Sequence, residues 1–311
     1  MDQNLKIHLL AVLLLLSCFG ISQENIVVMP GSLREHLHNL TKTPQFRNYK
    51  HVKQLDRTAD YILQEFSKWA DSVYEQSYLV HGERYRNVIA TFGPRDAERI
   101  IVGAHYDVCG DQEGADDNAS GVTGLLELAR LFQGKNLSKR VDLVAYTLEE
   151  PPFFRTEQMG SYVHAHDLYE RNIPVKGMVV LEMIGYFKDE KKTQDYPLRM
   201  LKGIYGSRGN YITLVRKLNG DAFERRFFRK FKKQKKIRTK RFIAPATLTG
   251  VDFSDHLNYW KFGFPALMIT DTAFYRNKSY HKDSDQLENL DLERMAKVIE
   301  ACFLTLFQIA K

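Results

Sequence analysis

The stretch VGAHYDVCGDQEGADDNASG, residues 102–121, opens on small and apolar residues and then collects His105, Asp107, Asp111, Glu113, Asp116 and Asp117 among glycines. Carboxylates crowded to that density repel one another unless positive charge sits among them. A further pair of acids, Glu149 and Glu150, follows VDLVAYTL; Glu182 lies late in GMVVLEMIG; His281 follows PALMITDT across a loop. Two imidazoles with several carboxylates make a donor set suited to zinc, which takes His nitrogen and carboxylate oxygen in roughly tetrahedral sites. Residues i and i+2 of a strand share a face, so Asp107 is placed to back His105 and fix its tautomer rather than to bind metal itself. Glu149 and Glu150, adjacent at a strand end, point in different directions: one can hold a metal while its neighbour takes a proton from water. Two ions would need a bridging carboxylate, and Asp117 in the glycine-flanked GADDNASG suits that place.

The elements that must position these residues follow from hydrophobic periodicity. Residues 32–72 read as helices, LDRTADYILQEFSKWA showing one apolar face at i, i+3, i+4 and i+7. Strands follow at SVYEQSYLV, RNVIATF and RIIVGAHY, with GPRDAE between the last two read as a hairpin turn. SGVTGLLELARLFQG is a helix with Ser120 near its start and Gly134 just past its end. VDLVAYTL is a continuous apolar strand of the kind buried on both faces. A helix over GSYVHAHDLYERN, a strand at GMVVLEMIGYF, a helical region at 208–236, a helix from Ser254 to Phe262, the strand PALMITDT and a closing helix at 291–310 complete the chain. Alternating strands and helices predict an α/β fold: a single globular domain whose mixed, mostly parallel sheet carries helices on both faces and an antiparallel hairpin at one edge. The acids and histidines fall at the C-terminal ends of strands, where open α/β sheets bind ligands. Residues 186–250, rich in Lys, Arg and Tyr, read as an insertion or cap between core strands of a domain spanning 23–311.

The 311 residues, 44% hydrophobic and 27% charged, suffice for a large core. IHLLAVLLLL at 7–16 is too short to span a bilayer, for which about 20 residues are needed, and with SCFGIS behind it reads as a signal-peptide core within residues 1–22. Cleavage near Gly20 or Ser22 would release the protein; LLSC instead resembles a lipobox, which would leave a lipid anchor on Cys18. Export is expected either way, to a secreted, periplasmic or membrane-anchored location, with no transmembrane span in the mature chain. Cys109 and Cys302 then remain, enough for one disulfide and no disulfide scaffold. The net charge of +7 is concentrated in RRFFRKFKKQKKIRTKR, residues 225–241, which carries eleven basic residues. Its phenylalanines recur at roughly helical spacing, so it reads as a solvated helix face. No recognisable nucleic-acid module accompanies it, and no nucleic-acid partner is expected.

HYD, GADDNASG, TLEEPPFF, LEMIGYF, SDHLNYWKFGFPALMITDTAFYRN and SYHKDSDQLENLDLERM resemble, in that order, the co-catalytic zinc aminopeptidases of metallopeptidase family 28. That group includes bacterial leucyl aminopeptidase, glutamate carboxypeptidase and the glutaminyl cyclases, and the resemblance covers roughly residues 50–310. It implies the zinc-exopeptidase fold, peptide substrates and two zinc ions: His105 and Glu182 on one, Glu150 and His281 on the other, Asp117 bridging, Glu149 as general base and acid. It also implies a cis peptide at Asp117–Asn118. The chain departs from the commoner pattern at Glu182, where many aminopeptidases carry Asp, and at Pro151–Pro152 after the acidic pair.

Other residues have plainer readings. Asp116 and Asn118 read as turn-formers, Ser254 and Asp255 as a helix start with Asp255 a candidate behind the ligands, and His164 and His166 as solvent-facing on a helix. Tyr186, Tyr259, Phe274 and Tyr275 are candidates for a side-chain pocket or for core. Hydrolysis of N-terminal residues from peptides is the leading expectation. Cyclisation of N-terminal Gln and carboxypeptidase action, with Arg208 or the basic run holding a substrate carboxylate, are alternatives on the same fold. A receptor ectodomain without catalysis is the non-enzymatic one.

Overall fold

The computed structural model describes residues 26–311. The signal segment expected at residues 1–22, and with it the alternative of a lipid anchor at Cys18, lies outside the described residues. The chain runs α1 (Pro30–Thr41), α2 (Val52–Ser67), β1 (Ser72–Val80), β2 (Glu83–Phe92), β3 (Arg99–His105), α3 (Gly121–Phe132), β4 (Arg140–Tyr146), α4 (Gly160–Glu170), β5 (Val175–Glu182), α5 (Leu201–Tyr205), β6 (Ile212–Lys217), α6 (Ala222–Lys233), β7 (Thr239–Ala244), α7 (His256–Lys261), β8 (Ala266–Thr270) and α8 (Leu292–Ala310).

Eight strands form one sheet in the order β1-β2-β4-β3-β5-β8-β6-β7. The centre, β4-β3-β5-β8, is parallel. β1, β2 and β4 pair antiparallel at one side, and β6 pairs antiparallel to β8 and parallel to β7 at the other. Alternation along the central strands sorts their side chains onto two faces. Ile100, Val102, Leu143, Val179 and Leu181 pack under α1, α2, α3, α6 and α8. Ile101, Val144, Met178 and Val180 pack with Leu168 of α4 and Tyr259 of α7. Both faces of these strands are therefore apolar, which is why their sequences run unbroken.

Three expectations need correction. The hairpin is not at GPRDAE: it joins β1 to β2 through His81 and Gly82, both at positive φ (51° and 86°), the backbone that a two-residue hairpin turn with native strand twist requires. β4 lies between β2 and β3. The region 208–236 is not helical throughout, because Ile212–Lys217 is strand β6. Helical periodicity belongs only to α6, whose Phe223, Phe227 and Phe231 at i, i+4 and i+8 are buried and whose Asp221 side chain caps the Phe223 N–H. Its arginines at 225, 226 and 229 face solvent. Residues 186–250 thus contribute two strands to the same sheet. The third correction is His164, which is 3% exposed and whose Nδ1 is hydrogen-bonded to the Tyr259 hydroxyl at 2.6 Å; His166 beside it is on the outer face, its side chain 48% exposed. Cys109 and Cys302 are free thiols, and no helix among the described residues is long and apolar enough to cross a membrane.

Candidate metal centre

Five segments deliver the acids and histidines to one end of the sheet. His105 is the last residue of β3. Just past it, the Asp107 carboxylate accepts the backbone N–H of Glu149 and of Glu150, each at 3.1 Å. One side chain thereby fixes where the acidic pair leaves β4. The same carboxylate stands 3.6 Å from His105 Nδ1, closer to which lies the Asp107 carbonyl oxygen at 3.2 Å. Asp107 sits behind His105 as its strand spacing suggested, but its hydrogen bonds hold the glutamate backbone.

The loop carrying Asp117 is latched from both sides. Asp285 accepts the N–H groups of Asp116 and Asp117, and Asp116 accepts from Gly185 N and Asn277 Nδ2, both at 2.9 Å. Asn118 donates to the Leu181 carbonyl and accepts from Met183 N and Gly121 N. Asp116 and Asn118 are thus buried ties between this loop and the end of β5, more than turn-formers. Glycine is required at two points of the loop. Gly114 has φ 56°, and a Cβ there would meet the Asp117 carbonyl at 2.2 Å; one on Gly121 would meet Asn118 Oδ1 and the Leu181 carbonyl at 2.4 Å. The Asp117–Asn118 peptide is cis. A buried guanidinium, Arg47 from the α1–α2 connection, donates to the carbonyls of Leu40, Tyr106, Glu113 and Gly114 and so clamps this loop to the N-terminal helices.

Three residues at the centre occupy the left-handed backbone region without being glycine: Leu148 before the acidic pair (φ 58°), Met183 after Glu182 (φ 50°) and His281 itself (φ 54°). Such positions are uncommon outside glycine and collect at functional sites.

The side chains converge. His105 Nε2 is 3.4 Å from Asp117 Oδ1, 3.4 Å from Glu182 Oε2 and 3.9 Å from Glu149 Oε2. His281 Nε2 is 3.3 Å from Asp117 Oδ2 and 3.2 Å from Glu150 Oε2. Asp117 therefore presents one oxygen to each histidine. His105, Asp117 and Glu182 offer donor atoms within 4.8 Å of one another, as do Cys109, Glu150 and His281. Asp117 Oδ2, Glu150 Oε1 and His281 Nε2 are buried with no hydrogen-bond partner. Buried polar atoms are rarely left unpaired, and this set, rich in oxygen and imidazole nitrogen, fits divalent cations.

The protein groups alone set an unusual electrostatic balance. Burial pushes the Glu149 carboxyl well above the ordinary range, with repulsion from Glu150, Glu182 and Asp255 adding to it against the pull of His105. Burial would lower His105, yet Glu149, Glu182, Asp107 and Asp117 together raise it well above the usual imidazole value. Burial likewise raises Asp255, which is fully buried at the start of α7. Its neighbour Ser254 is no helix cap: its hydroxyl donates to Glu182 Oε2 at 2.8 Å, so the helix begins at His256. Ser254, Asp285, Asn118 and Arg47 are supports whose single-residue signals resemble ordinary caps, turns and surface charges.

Beside Glu182 opens a cavity with a wall of Tyr196, Tyr211, Phe242, Phe253 and Phe274. Tyr275 and Lys240 also line it, the Lys240 ammonium lying 3.6 Å from the Tyr211 ring centre. Tyr259 is core instead, bonded to Tyr146 and His164. Arg208 lies on the surface, donating to the Asp189 carbonyl.

The fold is that of the zinc exopeptidases, a mixed α/β sheet, and here acids and histidines gather at its strand ends. The sequence pattern of peptidase family M28 matches residues 87–306, and the chain belongs to that family. It is 41% identical over 286 residues to "Uncharacterized protein YfbL" of Escherichia coli strain K12, covering 89% of this chain and 88% of that one. It is 27% identical over 293 residues to "Probable leucine aminopeptidase 1" of Trichophyton verrucosum, covering 87% and 72%. Among solved structures, the Legionella pneumophila LapA aminopeptidase superposes with a TM-score of 0.70 at 18% identity over 94% of this chain and 78% of that one. The Porphyromonas gingivalis glutaminyl cyclase superposes with a TM-score of 0.67 at 19% identity, over 91% and 99%.

Proposed function

We propose that this chain is a zinc-dependent aminopeptidase that removes the N-terminal residue of peptides. The observation that carries the reading is the pairing of the two oxygens of Asp117 with the two histidines, each histidine also facing a glutamate. His105 and Glu182 would hold one ion, His281 and Glu150 the other, with Asp117 shared. When bound, the ions supply Lewis-acid polarisation of the scissile carbonyl and lower the pKa of water towards neutrality. Glu149, with Oε2 3.9 Å from His105 Nε2, takes the proton of the attacking water and returns it to the leaving amine. Asp107 keeps Glu149 and Glu150 in register by binding both their N–H groups. The aromatic cavity beside Glu182 receives the side chain of the N-terminal residue, and the acids around Glu182 receive its free amine.

The full-length likeness to a glutaminyl cyclase supports a second reading, cyclisation of N-terminal Gln on the same scaffold. A panel of aminoacyl anilides run beside an N-terminal Gln peptide, with metal analysis of the purified protein, separates the two. Release of aniline from a Leu or Phe substrate with two zinc ions per chain supports the aminopeptidase; pyroglutamate formation with one ion supports the cyclase; neither activity in the zinc-loaded protein sinks both. Export belongs with this proposal, residues 1–22 acting as the signal of a peptidase domain at 23–311. The mass of the mature N-terminus, unmodified after Gly20 or Ser22 or lipidated at Cys18, tests it.

A further inference from the structure

We propose that the Cys109 thiol is a ligand of the His281-side metal ion, completing a set of four protein donors with Asp117, Glu150 and His281. The inference rests on the metal-centre reading above. Cys109 lies on the strand-end segment that also carries Asp107, and the preceding residue is fixed by a hydrogen bond from Val108 N to the Arg47 carbonyl at 2.9 Å. This thiol is half-buried. Its sulfur, a Glu150 carboxylate oxygen and a His281 ring nitrogen all lie within 4.8 Å of one another.

A second observation points to a ligand at the same spot. Glu150 is only 4% exposed, yet its Oε1 has no hydrogen-bond partner, and His281 Nε2 is likewise without one. A thiol is too weak a donor to satisfy a buried carboxylate; a cation held by all three would. Zinc sits about 2.3 Å from thiolate sulfur and about 2.0 Å from imidazole nitrogen. Donors on one tetrahedral ion therefore stand about 3.5 Å apart, within the 4.8 Å that bounds the separations of the Cys109, Glu150 and His281 donor atoms. Binding transfers the S–H proton to solvent and a sulfur lone pair to the metal, with no change of oxidation state.

The consequence is a division of labour. Four protein donors close a tetrahedral zinc site, whereas three leave a position open. The His281 side would be closed, and the His105 side, with His105, Asp117 and Glu182, would keep the open position. A thiolate also biases the closed side towards softer metals, against magnesium or manganese.

The test is titration of the metal-free full-length protein with Co(II), followed by absorbance. The expected result is up to two ions bound, with an intense near-ultraviolet sulfur-to-cobalt charge-transfer band that saturates at one equivalent. The band should vanish in Cys109→Ser and persist in Cys302→Ser and Cys18→Ser. Cys109→Asp should restore the second equivalent without the band, which guards against a merely misfolded serine variant. Zinc should shield the Cys109 thiol from a disulfide reagent that labels it in the metal-free protein. Two cobalt ions bound with no charge-transfer band, and a thiol equally reactive with and without zinc, would overturn the ligand and leave the two-metal reading standing. Failure of the wild-type protein to bind cobalt or zinc at all would overturn both.

Discussion

The two halves of the centre each set a histidine against a glutamate, on different supports. His105 ends a central strand, and its side chain is 1% exposed; His281 sits in a loop at φ 54°, with a side chain 26% exposed. Glu182, facing His105, is held by Ser254 and Asn118. The His281 loop is held through Asn277 to Asp116 and through Asp285 to the backbone of Asp116 and Asp117. One half is therefore set by the sheet, and the other by a small network of buried acids. A strand-borne donor is placed by the packing of the whole core, whereas a loop-borne donor is placed only as well as its few hydrogen bonds allow. The difference predicts that losing a supporting hydrogen bond costs the His281 half more of its metal affinity than the His105 half.

The largest effect should come from the residue that serves both halves without holding either ion. Glu149→Ala is expected to lower kcat on an aminoacyl anilide by about 10²- to 10⁴-fold with metal content unchanged; full activity in that variant would remove Glu149 from the mechanism. Next, His281→Ala and His105→Ala should each weaken metal binding by more than the roughly 10- to 100-fold that a supporting hydrogen bond is worth. The comparison is broken if calorimetric zinc titrations show His281→Ala losing both ions and His105→Ala losing neither. A smaller and more selective pair tests the supports. Asp285→Ala should cost about 10- to 100-fold in affinity mainly on the His281 side, and Ser254→Ala about 10-fold mainly on the His105 side. Equal loss at both sites from either variant would mean that the halves are not separately supported.

The smallest effect supplies a baseline away from either half. Burial, with Arg99 and Arg140 adding, lowers His164 from 6.5 to about 3. The unfolded chain takes that proton below pH 6.5 and the folded one refuses it, so this contribution is present above pH 6.5 and is lost as pH falls towards 3. By pH 5.5 the loss from this one residue is about 1.4 kcal/mol. Denaturant melts of metal-free His164→Gln should show a correspondingly flatter decline between pH 7 and 5.5; an unchanged slope would mean that His164 is protonated in the fold.

The parallel centre was legible because β3, β4, β5 and β8 are apolar on both faces and end in the residues that do chemistry. The flank was less so. Ile212–Lys217 is a short strand beside the strongly amphipathic α6, and the helical spacing of Phe223, Phe227 and Phe231 masked the change of period. The misplaced hairpin has another cause: His81–Gly82 is a compact turn between two strands read as separate, while GPRDAE carries the louder turn signal yet connects strands that β4 separates. The gathering of His105, Asp117, Glu149, Glu150, Glu182 and His281 could be anticipated from strand ends. The roles of Ser254 and Asp285 could not, since each is defined by a partner far away in sequence. His164 failed for the same reason, its partner Tyr259 being on another helix.

Arg47 carries a practical consequence. The part of the chain matched by the family pattern starts at residue 87 and includes every acid and histidine of the centre. The guanidinium that grips the carbonyls of Tyr106, Glu113 and Gly114 comes from outside it. A fragment cut at the boundaries of the recognisable region would keep every reactive group and forfeit the fastener of the Asp117 loop, so the smallest autonomous unit of this protein is longer than its most recognisable stretch.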